Sequence, residues 1–160
     1  MNNRSEYEIR AYREQDLSFL AQIYSSAIRY LGAGVYSDAQ IEAWAGFPTD
    51  ANAFRRWVEG AETFVAVNEG GKCVGFSGLV DGAYISSVFV SPESQRKGIA
   101  GSLVSRVLEE ARRKQSTEIT THASEFSRPL FEKFGFVVIE LEHTEVRGVE
   151  FERYAMRATL

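Results

Sequence analysis

The segment SPESQRKGIAGSL, residues 91–103, places Arg96 and Lys97 directly before Gly98 and follows them with Ile99, Ala100 and Gly101. Ile99, Leu103, Val104, Val107, Leu108 and Ala111 recur at helical spacing, so a helix begins near Gly98 and SPESQRK is the loop that feeds it. A helix N-terminus leaves backbone N–H groups unpaired and carries partial positive charge, and a glycine there lets an anion approach the main chain. Small residues in a first turn cost helix propensity, so they call for a reason. The chemistry they suit is phosphate binding; a plain strand-to-helix turn with solvated basic residues is the alternative. Neither GxxxxGK[ST] nor GxGxxG occurs, so neither of those phosphate loops is the device.

The elements that would position this loop can be read from periodicity. YEIRAYR, residues 7–13, alternates as a strand does. Asp16 sits where an N-cap or first-turn acid belongs, ahead of Leu17, Leu20, Ala21, Tyr24, Ile28 and Leu31, and Gly32 ends that helix. Ser37 and Gln40 form a capping-box pattern leading to Trp44, and Thr49 opens a further helical piece through Phe54, Trp57 and Val58. TFVAVNE, KCVGFSGLV and AYISSVFV read as strands joined at Gly70-Gly71 and Asp81-Gly82, dipeptides that favour antiparallel hairpins. After the Gly98 helix, EITTHAS reads as a strand and SRPLFEKFG as a short helix ended by Gly135. FVVIELEHTEV and VEFERYAMRA close the chain as a hairpin around Arg147-Gly148. The order βααβββαβαββ predicts an α+β fold, a mixed sheet with helices packed on its faces.

Composition sets the frame. The 160 residues make one domain, 1–160, and 44% apolar with 25% charged residues argues for a globular chain rather than a disordered or membrane one. A net charge of −4 speaks against a dedicated nucleic-acid binder, which needs clustered Lys and Arg. The lone cysteine, Cys73 in KCVGF, forms no internal disulfide and reads as reduced and buried. Residues 1–14 lack a signal-peptide core and no run is long enough to span a bilayer, so a cytoplasmic protein is expected. Two isolated histidines do not make a metal site, and no metal is expected.

VFVSPESQRKGIAGSLV resembles motif A of the GCN5-related N-acetyltransferases (GNAT), whose [QR]-x-x-G-x-[GA] pattern is matched by Gln95, Gly98 and Ala100. AYISSVFV then stands as the family's fourth strand, EITTHAS as its fifth and SRPLFEKFGF as its Gly-Phe helix, a resemblance covering about residues 5–157. The resemblance implies an acetyl-CoA-binding fold. The pyrophosphate would rest on the backbone amides from Arg96 and Lys97 through Gly98, Ile99 and Ala100 to Gly101. The pantetheine arm would pair like a strand with Val88, Phe89 and Val90, and Ser124 and Phe131 would stand near its end. More finely, VYSDAQIEAWAG, ASEFSRPLFEKFGF and VRGVEFERYAM resemble the YafP-type subgroup, which implies a small-molecule amine acceptor. A homodimer is expected only by analogy with the fold.

Acetyl transfer needs a neutral amine, a stabilised oxyanion and a proton for the departing thiolate. The family's usual tyrosine donor is replaced by Phe131, and the asparagine earlier in that pattern by Ser124. Ser124 would hydrogen-bond the cofactor, relay a proton or cap a helix. His122 shares a strand face with Ser124 and is a candidate base. Tyr84 and Tyr154 are candidate proton donors, with half-buried packing as their alternative; Glu142 and His143 read as solvated edge residues at least as well as site residues. Tyr36, Trp44 and Trp57 either build core or wall an acceptor pocket, and Tyr84 is a second candidate for that wall. The expected activity is direct N-acetyl transfer from acetyl-CoA. A non-catalytic acyl-CoA-binding or regulatory module is the alternative that Phe131 keeps open.

Overall fold

The structure, a computed structural model, describes residues 6–160; the first residues of the 1–160 domain and of the stretch read for a signal peptide lie outside it. Seven strands form one sheet in the order β1-β2-β3-β4-β5-β7-β6. Along the chain these are β1 (Tyr7–Ala11), β2 (Glu62–Asn68), β3 (Cys73–Val80), β4 (Tyr84–Val90), β5 (Glu118–Ala123), β6 (Val137–Val146) and β7 (Val149–Thr159). Helices α1 (Leu17–Gly32), α2 (Asp38–Ala45), α3 (Ala51–Glu59), α4 (Ile99–Arg113) and α5 (Arg128–Lys133) flank it.

Between β1 and β2 there are three α-helices, one more than the order βααβββαβαββ allows. The Ser37 hydroxyl accepts from Gln40 N–H at 3.1 Å and the Gln40 side chain accepts from Ser37 N–H at 2.9 Å, the reciprocal box that starts α2. Phe47-Pro48-Thr49 then forms a 3-10 turn that separates α2 from α3. Asp50, not Thr49, caps α3, accepting from Ala53 N–H at 3.1 Å, while the Thr49 hydroxyl donates to Gly46 C=O. Asp16 is the N-cap residue of α1, but its side chain makes no cap bond there. Its carboxylate takes both terminal nitrogens of Arg10 and the Arg13 N–H, tying β1 to the turn before α1.

All three predicted hairpins are antiparallel; Asp81 and Gly82, and Arg147 and Gly148, have left-handed φ, as a type I′ turn requires, whereas at Gly70-Gly71 only Gly71 does. Two apolar layers result. On one face α4 packs against Val74, Leu79, Ile85, Ile119 and Met156; on the other α1 and α3 cover Val65, Cys73 and Phe76. No helix among the described residues is long and apolar enough to cross a membrane.

The feature that matters for function lies mid-sheet. Every neighbouring pair is antiparallel except β4 and β5, which run parallel and pair only at Tyr84–Thr120 and Ile85–Thr121. Ser86 is an extra residue in the β3–β4 register, which passes from Leu79–Ile85 to Gly78–Ser87, and such a bulge bends its strand. From Ser86 to Val90, β4 therefore has β3 on one side and no strand ladder toward β5 on the other.

Candidate active site

Where β4 and β5 part, a cavity of about 210 Å³ opens, with Ser86–Phe89 on one wall and Thr121–Ser124 on the other. Phe126, Phe131 and Phe151 line it as well, together with Tyr24, Tyr36, Trp44 and Trp57 from the helical layer. Tyr36, Trp44 and Trp57 are thus both packed and exposed to the cavity, so the two readings offered for them describe the same position.

A second opening lies at the far end of β4, against Val90, Gln95, Gly98, Ala100 and Phe134. Gly98 has φ +78°, and a Cβ there would meet nothing within 4 Å, so the space before the main chain is clear. Helical bonding starts with Ser102 N–H to Gly98 C=O at 3.0 Å; Ile99, Ala100 and Gly101 precede it and offer their N–H groups outward. The Gln95 side chain donates to Val90 C=O at 2.8 Å, which pins the turn to the end of β4. The Tyr7 hydroxyl holds Ser102 Oγ at 2.6 Å from the other side. Arg96 adopts φ +63° and lines the opening, and the neighbouring Lys97 is exposed.

The polar chemistry of the large cavity centres on His122. Its Nδ1 lies 2.9 Å from the Tyr84 hydroxyl and its Nε2 3.1 Å from Glu142 Oε1, an oxygen that also accepts from Arg153 Nε at 3.0 Å. A carboxylate only accepts, so Nε2 carries a proton, and Nδ1 of the neutral ring accepts from Tyr84. Burial, and then the Arg153 guanidinium, lower the His122 pKa from its ordinary value; Glu142 opposes them. The Tyr84 pKa is raised by burial. Glu142 is thus no solvated edge group, because it orients the imidazole.

Other candidates are placed elsewhere. Tyr84 does not wall the cavity; it stands behind His122. Tyr154 is not a cavity residue either: its hydroxyl donates to the Glu125 carboxylate and its ring packs under Arg128. Ser124 reaches the cavity wall but makes a reciprocal pair with Ser127, accepting from its N–H at 3.1 Å and donating its own N–H to Ser127 Oγ at 2.9 Å. That pair closes the turn leading into α5, whose own N-cap residue is Ser127. Phe131 is buried edge-on against Phe136, with ring centroids 5.2 Å apart, and has no proton to offer. Cys73 lies away from the cavity under α1, 3.5 Å from Asp16, and burial beside that carboxylate pushes its thiol up to about 11.

Sequence reading missed Arg153 and the role of Glu142, although a signal existed. Counting outward from the Arg147-Gly148 turn pairs Val146 with Val149 and, four steps on, Glu142 with Arg153. Phe126 and Phe151 were missed for a different reason, since apolar aromatics near turns carry no pattern that distinguishes a pocket from a core.

Comparison with known proteins gives a consistent result. A model of the acetyltransferase (GNAT) domain matches residues 33–158. The N-acetyltransferase YafP of Escherichia coli K12, described as uncharacterized, is 31% identical over 157 residues, 98% of this chain and 97% of that protein. A solved GCN5-related N-acetyltransferase from Rhodopseudomonas palustris superposes with a TM-score of 0.93 at 26% identity, covering 98% of this chain and 97% of that one. PaiA N-acetyltransferase from Thermoplasma acidophilum, solved in complex with coenzyme A, has the same fold at 19% identity, with a TM-score of 0.75 over 96% of this chain and 99% of its own. The domain match and the YafP identity settle the family: this chain belongs to the GNAT N-acetyltransferases.

Proposed function

We propose that the protein transfers the acetyl group of acetyl-CoA directly to the amine of a small molecule bound beside it. The observation that carries this reading is the continuous track along β4: a clear glycine turn at one end, an unladdered strand edge in the middle and an aromatic cavity at the other. The residues fit the cofactor. The outward N–H groups of Ile99, Ala100 and Gly101 suit a pyrophosphate, and the edge at Val88, Phe89 and Val90 suits a pantetheine arm. Lys97 and Arg96 add charge at the rim, and Gln95 holds the turn in place. PaiA of T. acidophilum was solved with coenzyme A, and this reading assigns the same class of ligand here.

Acetyl-CoA supplies the thioester, and this chain supplies alignment and a proton acceptor. Amide groups of β4 polarise the acetyl carbonyl, and the cavity holds the amine against it. As the N–C bond forms and the C–S bond breaks, the amine sheds a proton and the thiolate later takes one from solvent. The shed proton reaches His122 Nδ1 by way of the Tyr84 hydroxyl, which gives its own proton to the ring as it takes up the amine's. The Tyr84 hydroxyl then accepts from Nδ1–H while Nε2 stays beside Glu142, so the imidazolium keeps one hydrogen bond and gains an ion pair. Glu142 acts through His122 as a positioning residue.

Incubation of purified protein with acetyl-CoA and a panel of amines, read as free thiol and as mass of acetylated amine, tests the proposal. Amine-dependent release is expected. Acetyl-CoA binding without release from any amine would favour the non-catalytic acyl-CoA-binding module, which the buried Phe131 in the usual donor position supports.

A further inference from the structure

The acceptor end of the cavity is built for a particular kind of amine. Trp44 and Phe126 lie stacked, 5.2 Å apart with 17° between their planes, and Tyr36 and Phe151 both pack edgewise against Trp44. Flat faces of this kind favour a flat guest. The volume of about 210 Å³ exceeds the ~150 Å³ that accommodates benzene in a protein interior, and so suits one ring with a short substituent.

Charge narrows the class. Arg153 lines the cavity and commits its Nε to Glu142, and among the described residues no partner takes its two Nη groups. A guanidinium presenting two N–H donors is a site for a carboxylate. A polyamine would need several carboxylates instead, and the cavity wall offers Glu152, which is exposed, beside that guanidinium. The basicity of the site points the same way. His122 has both ring nitrogens engaged and a lowered pKa, which leaves it poorly suited to stripping a proton from an alkylammonium before attack. An arylamine is already neutral at neutral pH.

Resting on the acetyl-transfer reading, we infer that the acceptor is a single-ring aromatic amine bearing a carboxylate, the class of the aminobenzoates. The ring sits among Trp44, Phe126 and Phe151, the carboxylate pairs with Arg153, and the amino group faces β4. The reaction converts the arylamine and acetyl-CoA into the N-acetyl arylamine and CoA thiol, with one N–C bond made and one C–S bond broken.

The test is kcat/KM for 3-aminobenzoate, 3-methylaniline, phenethylamine and spermidine, measured by thiol release and product mass in wild type, Arg153→Gln and Trp44→Leu. Acetyl-CoA affinity and thermal melting serve to check that each variant is folded. The aminobenzoate is expected to be the best substrate. Arg153→Gln should lower its kcat/KM about 10–100-fold more than that of 3-methylaniline, mainly through KM. Trp44→Leu should weaken both aryl substrates. A higher value for spermidine or phenethylamine, or equal values for the two aryl amines, overturns the inference while leaving acetyl transfer in place. No release from any amine, with acetyl-CoA bound, overturns both.

Discussion

His122 gains its properties from three side chains that meet only in the folded sheet. Tyr84 from β4, Glu142 from β6 and Arg153 from β7 each reach it or its partner within 3.1 Å. In the proposed reaction the neutral ring is the proton acceptor, and its pKa lies below the ordinary 6.5. The rate should therefore be fully developed above that value and fall as pH drops through the lower, folded value. In His122→Gln that acid limb should vanish and kcat should fall by about 10²–10⁴-fold, the usual contribution of a positioned base. A pH–rate profile that keeps its limb in the variant would remove His122 from the chemistry. The linkage to stability has the same sign: a histidine depressed in the folded state binds protons more readily when unfolded, so stability is lost as pH falls through that window.

At the scale of elements, loops and capping residues hold the site-bearing strands. Asp16 is almost fully buried, and the guanidinium of Arg10, with the Arg13 N–H, holds its pKa below the ordinary aspartate value. Asp16→Asn should cost about 2 kcal/mol of stability at neutral pH, because it leaves Arg10 without its partner. Urea denaturation measures this, and the loss should disappear in acid, where wild-type Asp16 is itself protonated. Much at this scale was legible in sequence. Ser37 with Gln40, Asp81-Gly82 and Arg147-Gly148 each specify a local geometry through one or two residues, and each appears where expected. Asp16 stands at the N-cap position expected, but its side chain has two uses, and only tertiary contact with Arg10 decides between them. The parting of β4 from β5 was legible only through family resemblance. The bulge at Ser86 is a register event between strands, and nothing in AYISSVFV alone announces it.

For the whole molecule, the two apolar layers do different work. The layer carrying α4 sets the glycine turn against the end of β4, while the layer of α1 to α3 supplies Tyr24, Trp44 and Trp57 to the acceptor cavity. β6 forms one edge of the sheet and exposes Val137, Val138, Ile139 and Leu141. In the proposed reaction one track along β4 takes acetyl-CoA from the glycine turn to the aromatic cavity. Calorimetric titration of wild type and Gly98→Glu with acetyl-CoA tests it most directly. Glutamate at φ +78° is strained, and its carboxylate would stand in the clear space before the helix end. The prediction is saturable binding by wild type and a loss of at least about tenfold in affinity in a variant that remains folded by circular dichroism. Equal affinity in the two proteins, or no binding by wild type, would contradict it.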